Sequence, residues 1–269
     1  VILAVPHAGR TYPPALIAAA ALPRHRLETL EDRFADALIA DAVAAGATAF
    51  VARRARAWID LNRDERELDP GMIEASTPPP QAIGSARVRG GLGLIPRRIA
   101  GGTDIYRRRL TTAEIEARIV GDHRPWHAAL ADALTAAHAR FGIALLLDCH
   151  SMPPIARSGE ATPPSVVIGD RYGRAASSRL VDCLEAAARR AGLPHARNSP
   201  YAGGYSLDRH GRPTAGIHAI QIEIDRSLYL APDLRSPGDG MPRIKAFLAM
   251  LVAALAEEAL PAPPALAAE

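Results

Sequence analysis

The chain has 269 residues, 48% of them hydrophobic, enough to bury a substantial core as one domain. Its formal charge is only +3, Lys245 is its single lysine, and 4% aromatic residues leave no stacking platform for bases, so nucleic acid is excluded as the expected partner. Cys149 and Cys183 form neither a Cys-x-x-Cys pair nor a disulfide framework, which predicts a reducing, cytoplasmic setting.

The first run, Val1-Ile2-Leu3-Ala4-Val5-Pro6-His7-Ala8-Gly9, reads as a buried strand that ends in a histidine. A chain that opens inside a strand, without a charged leader, predicts no signal peptide, and residues could precede Val1. A helix is expected from Pro13 to Leu22 and a second from Glu31 to Ala45, stopped by Gly46. Residues 47 to 53 read as a strand. From Asp69 to Thr103 periodicity fails, punctuated by Thr77-Pro78-Pro79-Pro80, Gly90-Gly91 and Gly101-Gly102, and such an excursion suits a lid or substrate wall.

Thr111 and Glu114 form a capping-box pattern that opens a helical region to about Arg140, with a break or kink expected at Pro125. The run Ile143 to Leu147 then ends abruptly in Asp148-Cys149-His150-Ser151, a second strand delivering a histidine to a sheet edge. Further strands are expected at Ser165 to Ile168 and Ala219 to Ile224, with helices at Ala175 to Ala191 and Met241 to Leu260 and an unstructured tail over 261–269. Alternating strand and helix patterns predict an α/β fold with a largely buried sheet. No stretch is long and apolar enough to predict a membrane span.

Two strand ends that each present a histidine could assemble a metal site from remote positions, given a third ligand. The acidic group Glu28, Glu31, Asp32 and Asp36 offers one, although acidic residues also favour helix N-termini in solvent, and spacing leaves both Glu31 and Asp32 open. Asp60-Leu61-Asn62-Arg63 sets a guanidinium beside an amide, suited to binding a carboxylate and equally to a surface ion pair. In Gln221-Ile222-Glu223-Ile224-Asp225-Arg226 the polar residues share one strand face, which fits either an edge strand or a buried carboxylate acting as a base. Ser151 lacks a Gly-x-Ser-x-Gly context and does not predict a serine hydrolase.

Taken in order, Pro6-His7-Ala8-Gly9, Asp60-Leu61-Asn62-Arg63, Asp148-Cys149-His150-Ser151, Gly203-Gly204-Tyr205 and Gln221 to Arg226 resemble the N-formylglutamate amidohydrolase family, over nearly the whole chain to about Leu230. The resemblance implies a three-layer α/β/α sandwich with a mixed, mostly parallel sheet, like that of zinc carboxypeptidases and aspartoacylases. It implies a divalent metal, zinc, held by His7, His150 and Asp32. Glu31 is the alternative third ligand, because Leu30-Glu31-Asp32 stands where the deformylase branch has an Asp-Thr-Asp-like stretch.

In the same resemblance, Glu223 would activate water, Asn62 and Arg63 would hold the substrate carboxylate, and Arg108, Arg109 and Tyr205 would assist. Asp148 would orient a ligand, with Cys149 packed in the core. The implied reaction is hydrolysis of N-formyl-L-glutamate to L-glutamate and formate, in histidine degradation. The residues themselves support an anionic N-acyl amino acid as partner, with no nucleic acid or membrane. A carboxypeptidase-like peptidase, another N-acyl amino acid deacylase, or a non-catalytic binding protein on the same fold are the alternatives.

Overall fold

The computed structural model describes residues 1–74, 82–99, 101–157, 159–160 and 162–259. The apolar runs become strands β1 (Ile2–Val5), β2 (Thr48–Val51), β3 (Ala144–Met152), β4 (Val166–Gly169), β5 (His195–Arg197) and β6 (Ile217–Asp225). They form one sheet in the order β2-β1-β3-β6-β4-β5. Neighbours are parallel throughout except β4 and β6, which run antiparallel. The short, half-buried β5 carries His195 and Arg197, and that polarity hid it from pattern reading.

On one face of the sheet, Leu145, Leu147 and Cys149 of β3 and Ile220, Ile222 and Ile224 of β6 join Leu184, Leu248 and Leu251 from the helices Ser178–Arg190 and Met241–Ala259. On the other, Ala144, Leu146 and Ala219 pack against Leu130 and Leu134 of the helix Arg124–Phe141. The expected α/β/α layering with a mixed, mostly parallel sheet is therefore the observed one. Side chains alternate across a strand, so Asp148 and His150 share the second face with Gln221 and Glu223. The in-register pairing of β3 with β6 then sets His150 opposite Glu223. The edge-strand reading of the Gln221 run is corrected: β6 lies inside the sheet, and its polar residues are buried.

The expected Glu31 to Ala45 helix is broken. Helical segments occupy only Ala35–Leu38 and Ala40–Ala44, after Phe34 at φ 59°, and Gly46 (φ 103°) follows as the stop. The cause is local competition for the backbone: Asp32 N donates to His7 O at 3.0 Å, tying this loop to the end of β1 instead of entering a helix.

The capping box of Thr111 and Glu114 opens the helix Thr112–Arg118 as expected. Pro125 has no N–H to return to the preceding turn, and the chain passes through a π turn, Ile119–His123, before the helix Arg124–Phe141. Within the 69–103 excursion, Met72, Ile73, Leu94 and Ile95 join Ile59 and Leu61 in a small core of their own. Thr77-Pro78-Pro79-Pro80 and the 261–269 tail lie outside the described residues. Among the described residues no helix is long and apolar enough to cross a membrane.

Because Leu147 is fully buried at the centre of the β3 core face, Leu147→Ala should cost about 2–5 kcal/mol of stability. Urea denaturation followed by circular dichroism measures the loss.

Candidate active site

At the carboxyl end of the parallel strands, His7, Asp32 and His150 each offer one ligand atom, all within 4.8 Å of one another and all buried. His7 follows β1, Asp32 comes from the loop that its amide ties to His7, and His150 lies near the end of β3. Asp32 Oδ2 lies 3.0 Å from His150 Nδ1 and 3.5 Å from His7 Nδ1. Glu31 is not part of the group. Its carboxylate accepts from Tyr12 and, at 2.9 Å, from Arg33, so the bend that turns Asp32 inward directs its neighbour elsewhere.

The other nitrogen of each histidine meets its own carboxylate. His7 Nε2 is 2.7 Å from Asp60 Oδ1, and His150 Nε2 is 3.0 Å from Asp148 Oδ2. Carboxylates on the Nε2 side hold both rings with Nδ1 turned toward Asp32, the arrangement by which proteins orient histidine ligands of a metal. His7 Nδ1 is buried and finds no hydrogen-bond partner within the protein. Two imidazole nitrogens and a carboxylate oxygen converging in this way form a donor set that fits a divalent cation, with room for a further ligand.

The electrostatics agree with that fit. Burial disfavours charge on Asp32, yet the hydrogen bond from His150 and the nearby His7 imidazole outweigh it and hold the carboxyl well below its usual range. Burial likewise opposes a charged His150, but the neighbouring Asp148, then Asp32, push the imidazole well above its ordinary value. Buried anions this close together demand positive charge among them.

Glu223 lines the same cavity as the cluster. Burial pushes its carboxyl up to about 7, with nearby Asp32 adding to the rise against His150, Arg56 and Arg226. Gln221 Nε2 donates to Glu223 Oε1 at 3.0 Å. The cavity holds about 560 Å³, and its walls include Asn62, Arg63 and Tyr201. On the excursion side Arg87, Gly90, Leu92, Ile99, Gly101 and Gly102 complete it.

Asn62 and Arg63 are held from several directions. Asn62 Nδ2 donates to Asp148 Oδ2 at 3.2 Å, and Asn62 Oδ1 accepts from Ser206 N at 2.8 Å. That contact explains Gly204: any Cβ there would strike the Asn62 amide. From the other side, His127 Nε2 donates to Leu61 O at 3.0 Å and His123 Nε2 to Arg63 O at 2.8 Å. The carbonyl acceptor fixes the His127 tautomer, leaving its Nδ1 to accept from His210 Nε2 at 3.0 Å. Burial depresses all three histidines, so this bracket is neutral.

Three expected contacts lie elsewhere. Arg108 pairs with Glu114 at 2.6 Å on the surface, and Arg109 is exposed beside it. Tyr205 lines a neighbouring groove, its ring stacked on His123 and its hydroxyl accepting from Arg209. Cys149 is packed in the core, its thiol pushed up by burial. Ser151 Oγ accepts from Arg226 Nε at 3.1 Å, a positioning contact.

Sequence reasoning missed Arg56, whose Nε donates to Asp60 at 2.9 Å, and Arg226, whose Nη2 donates to Asp32 at 2.9 Å. The Asp225-Arg226 pair directly after Glu223 was a usable signal for the second. For the first, Asp60 four residues on was the available signal.

Relatives share this arrangement of chain. The family model for N-formylglutamate amidohydrolases matches residues 1–230. The chain is 28% identical over 233 residues to the N-formylglutamate deformylase of Pseudomonas aeruginosa, covering 85% of this chain and 81% of that protein. It is 28% identical over 191 residues to the enzyme of the same name from Pseudomonas putida, covering 69% and 65%. The crystal structure of N-formylglutamate amidohydrolase from Ralstonia eutropha superimposes with a TM-score of 0.88 at 35% identity, covering 95% of this chain and 92% of that one. With the family model spanning so much of its length, the chain belongs to the N-formylglutamate amidohydrolase family.

Proposed function

We propose that this protein is a metal-dependent amidohydrolase that cleaves N-formyl-L-glutamate to L-glutamate and formate. The observation that carries the reading is the convergence of Glu223 and the His7, Asp32 and His150 group on one small cavity walled by Asn62 and Arg63. The names and likeness of the relatives support the substrate.

Zinc suits two imidazoles and a carboxylate, and when bound at His7, Asp32 and His150 it would lower the pKa of water and polarise the formyl carbonyl. Arg63 and Asn62 hold a carboxylate of the substrate so that the amide faces Glu223. Glu223, raised toward neutrality by burial, takes a proton from the attacking water and delivers it to the amide nitrogen. The water oxygen bonds to the formyl carbon, the C–N bond breaks, and the amino acid leaves with the proton on its nitrogen. Arg56 and Arg226 are anchored on Asp60 and Asp32, so the cationic wall is organised before substrate arrives.

A cavity of about 560 Å³ favours a small amide over the longer substrate of a carboxypeptidase-like peptidase. Glu223 in the lining beside both histidines argues against a binding protein without activity.

His150→Ala should yield protein without bound metal, measured by elemental analysis. Glu223→Gln should retain the metal yet lose about 100-fold or more in kcat, the scale of a general base. Full turnover of N-formyl-L-glutamate by the glutamine variant would remove Glu223 from that role. Asp148→Asn should weaken zinc affinity about 10- to 100-fold, read by competition with a chelating dye, because His150 loses the carboxylate that orients it.

A further inference from the structure

N-formylglutamate carries two carboxylates, and Asn62 with Arg63 answers only one of them. The cavity lining contains four arginines, Arg56, Arg63, Arg87 and Arg226. Three are already engaged. Arg56 is bound to Asp60 and Arg226 to Asp32 and Ser151, while Arg63 donates to the carbonyls of Leu92 and Asn62 beside Asp60. Arg87 differs: among the described residues its guanidinium makes neither a hydrogen bond nor an ion pair, although it faces the same cavity.

Its backbone is held. Arg87 lies in the short helix Ala86–Arg89, where Ser85 Oγ accepts from Val88 N and donates to Glu67 at 2.6 Å. Leu92 N donates to Arg87 O at 2.8 Å, and Arg63 Nε donates to Leu92 O at 2.9 Å, so the two arginines stand on one connected wall. They are close enough to repel. Burial first, with the charges of Arg56 and Arg87 adding to it, brings Arg63 down to about 10 despite Asp60. Of the carboxylates that border the neighbouring groove, which Arg87 also lines, Asp64 and Asp208 are paired with Arg66 and Arg171, and Glu67 accepts from Ser85 Oγ and Asp64 N.

Two guanidiniums on one wall, one of them uncommitted, form a receptor for a dianion. We infer that Arg87 binds the side-chain carboxylate of the substrate and so selects acidic over neutral N-acyl amino acids. The inference rests on the reading of this cavity as an N-acyl amino acid site. It gives the 69–103 excursion a role in specificity: this segment brings the second cation to a centre built by the sheet. A site arranged around a charge rejects an uncharged analogue of the same shape more strongly than its size alone would allow.

The test compares N-formyl-L-glutamate with N-formyl-L-glutamine, its near-isosteric neutral counterpart, on the zinc-loaded protein. Arg87→Gln should lower the ratio of their kcat/KM values by about 10- to 100-fold, and Arg87→Lys should keep part of the preference. Calorimetric binding of the free products, L-glutamate against L-glutamine, should show the same loss without any need for turnover. An unchanged preference in Arg87→Gln, or a wild-type protein that does not prefer the acidic ligand, overturns the inference. Failure of the zinc-loaded wild type to hydrolyse either formyl amino acid would instead strike the proposed reaction, and the calorimetric preference would still report on Arg87.

Discussion

The burial of carboxylates around two imidazoles is the constraint on which this structure depends. Asp32, Asp60 and Asp148 are each almost fully removed from water. Isolated charges could not remain there, so each is met by partners, at least one of them from a distant part of the chain. Asp60 is held by Arg56 and His7, Asp148 by Asn62 and His150, and Asp32 by Arg226 and His150. Compensation of charge thus draws the end of β1, the Asp60 turn, β3 and the segment after β6 to one point. The same arrangement leaves ligand atoms of His7, Asp32 and His150 facing one another.

The sheet makes that convergence possible. Where β1, β3 and β6 run parallel, their carboxyl ends reach the same edge, and the alternation of side chains turns His150 and Glu223 to one face. The opposite face carries Cys149, Ile222 and Ile224 into the core beneath the helices Ser178–Arg190 and Met241–Ala259. A residue added to or removed from either strand would exchange these faces, sending His150 or Glu223 into the apolar layer. Register is therefore a condition for the chemistry as well as for packing. The bracket of His123, His127 and His210 plays a comparable part for the Asn62 turn, with His123 ending the π turn and His127 in the helix that follows.

Much of this was legible in the linear chain because it depends on local pattern. The runs ending at His7 and His150 declare buried strands, and the alternation around Glu223 declares a strand with a polar face. Thr111 and Glu114 announce their helix, since a capping box needs only three residues of spacing. Other features were read wrongly or not at all. Continuous helical periodicity concealed the break at Phe34, because the hydrogen bond that competes with the helix comes from His7, far back in sequence. Arg108 and Arg109 were expected near the substrate, but a long, charged side chain takes the nearest compatible partner, and for Arg108 that was Glu114. Arg56 was missed although Asp60 lies only four residues on, because that spacing does not record that the pair meets beside the cavity.

The sequence by itself determined the strands, their polar ends, the helix starts and the family resemblance, since each rests on residue type and on spacing over a few positions. Only the tertiary structure put Asp32 rather than Glu31 beside the two histidines, separated Arg87 and Arg226 from the many other arginines, and set Glu223 opposite His150. Those outcomes depend on which buried charges meet across the fold, and a meeting between distant residues is fixed by strand order, register and compensation of charge, none of which spacing along the chain records.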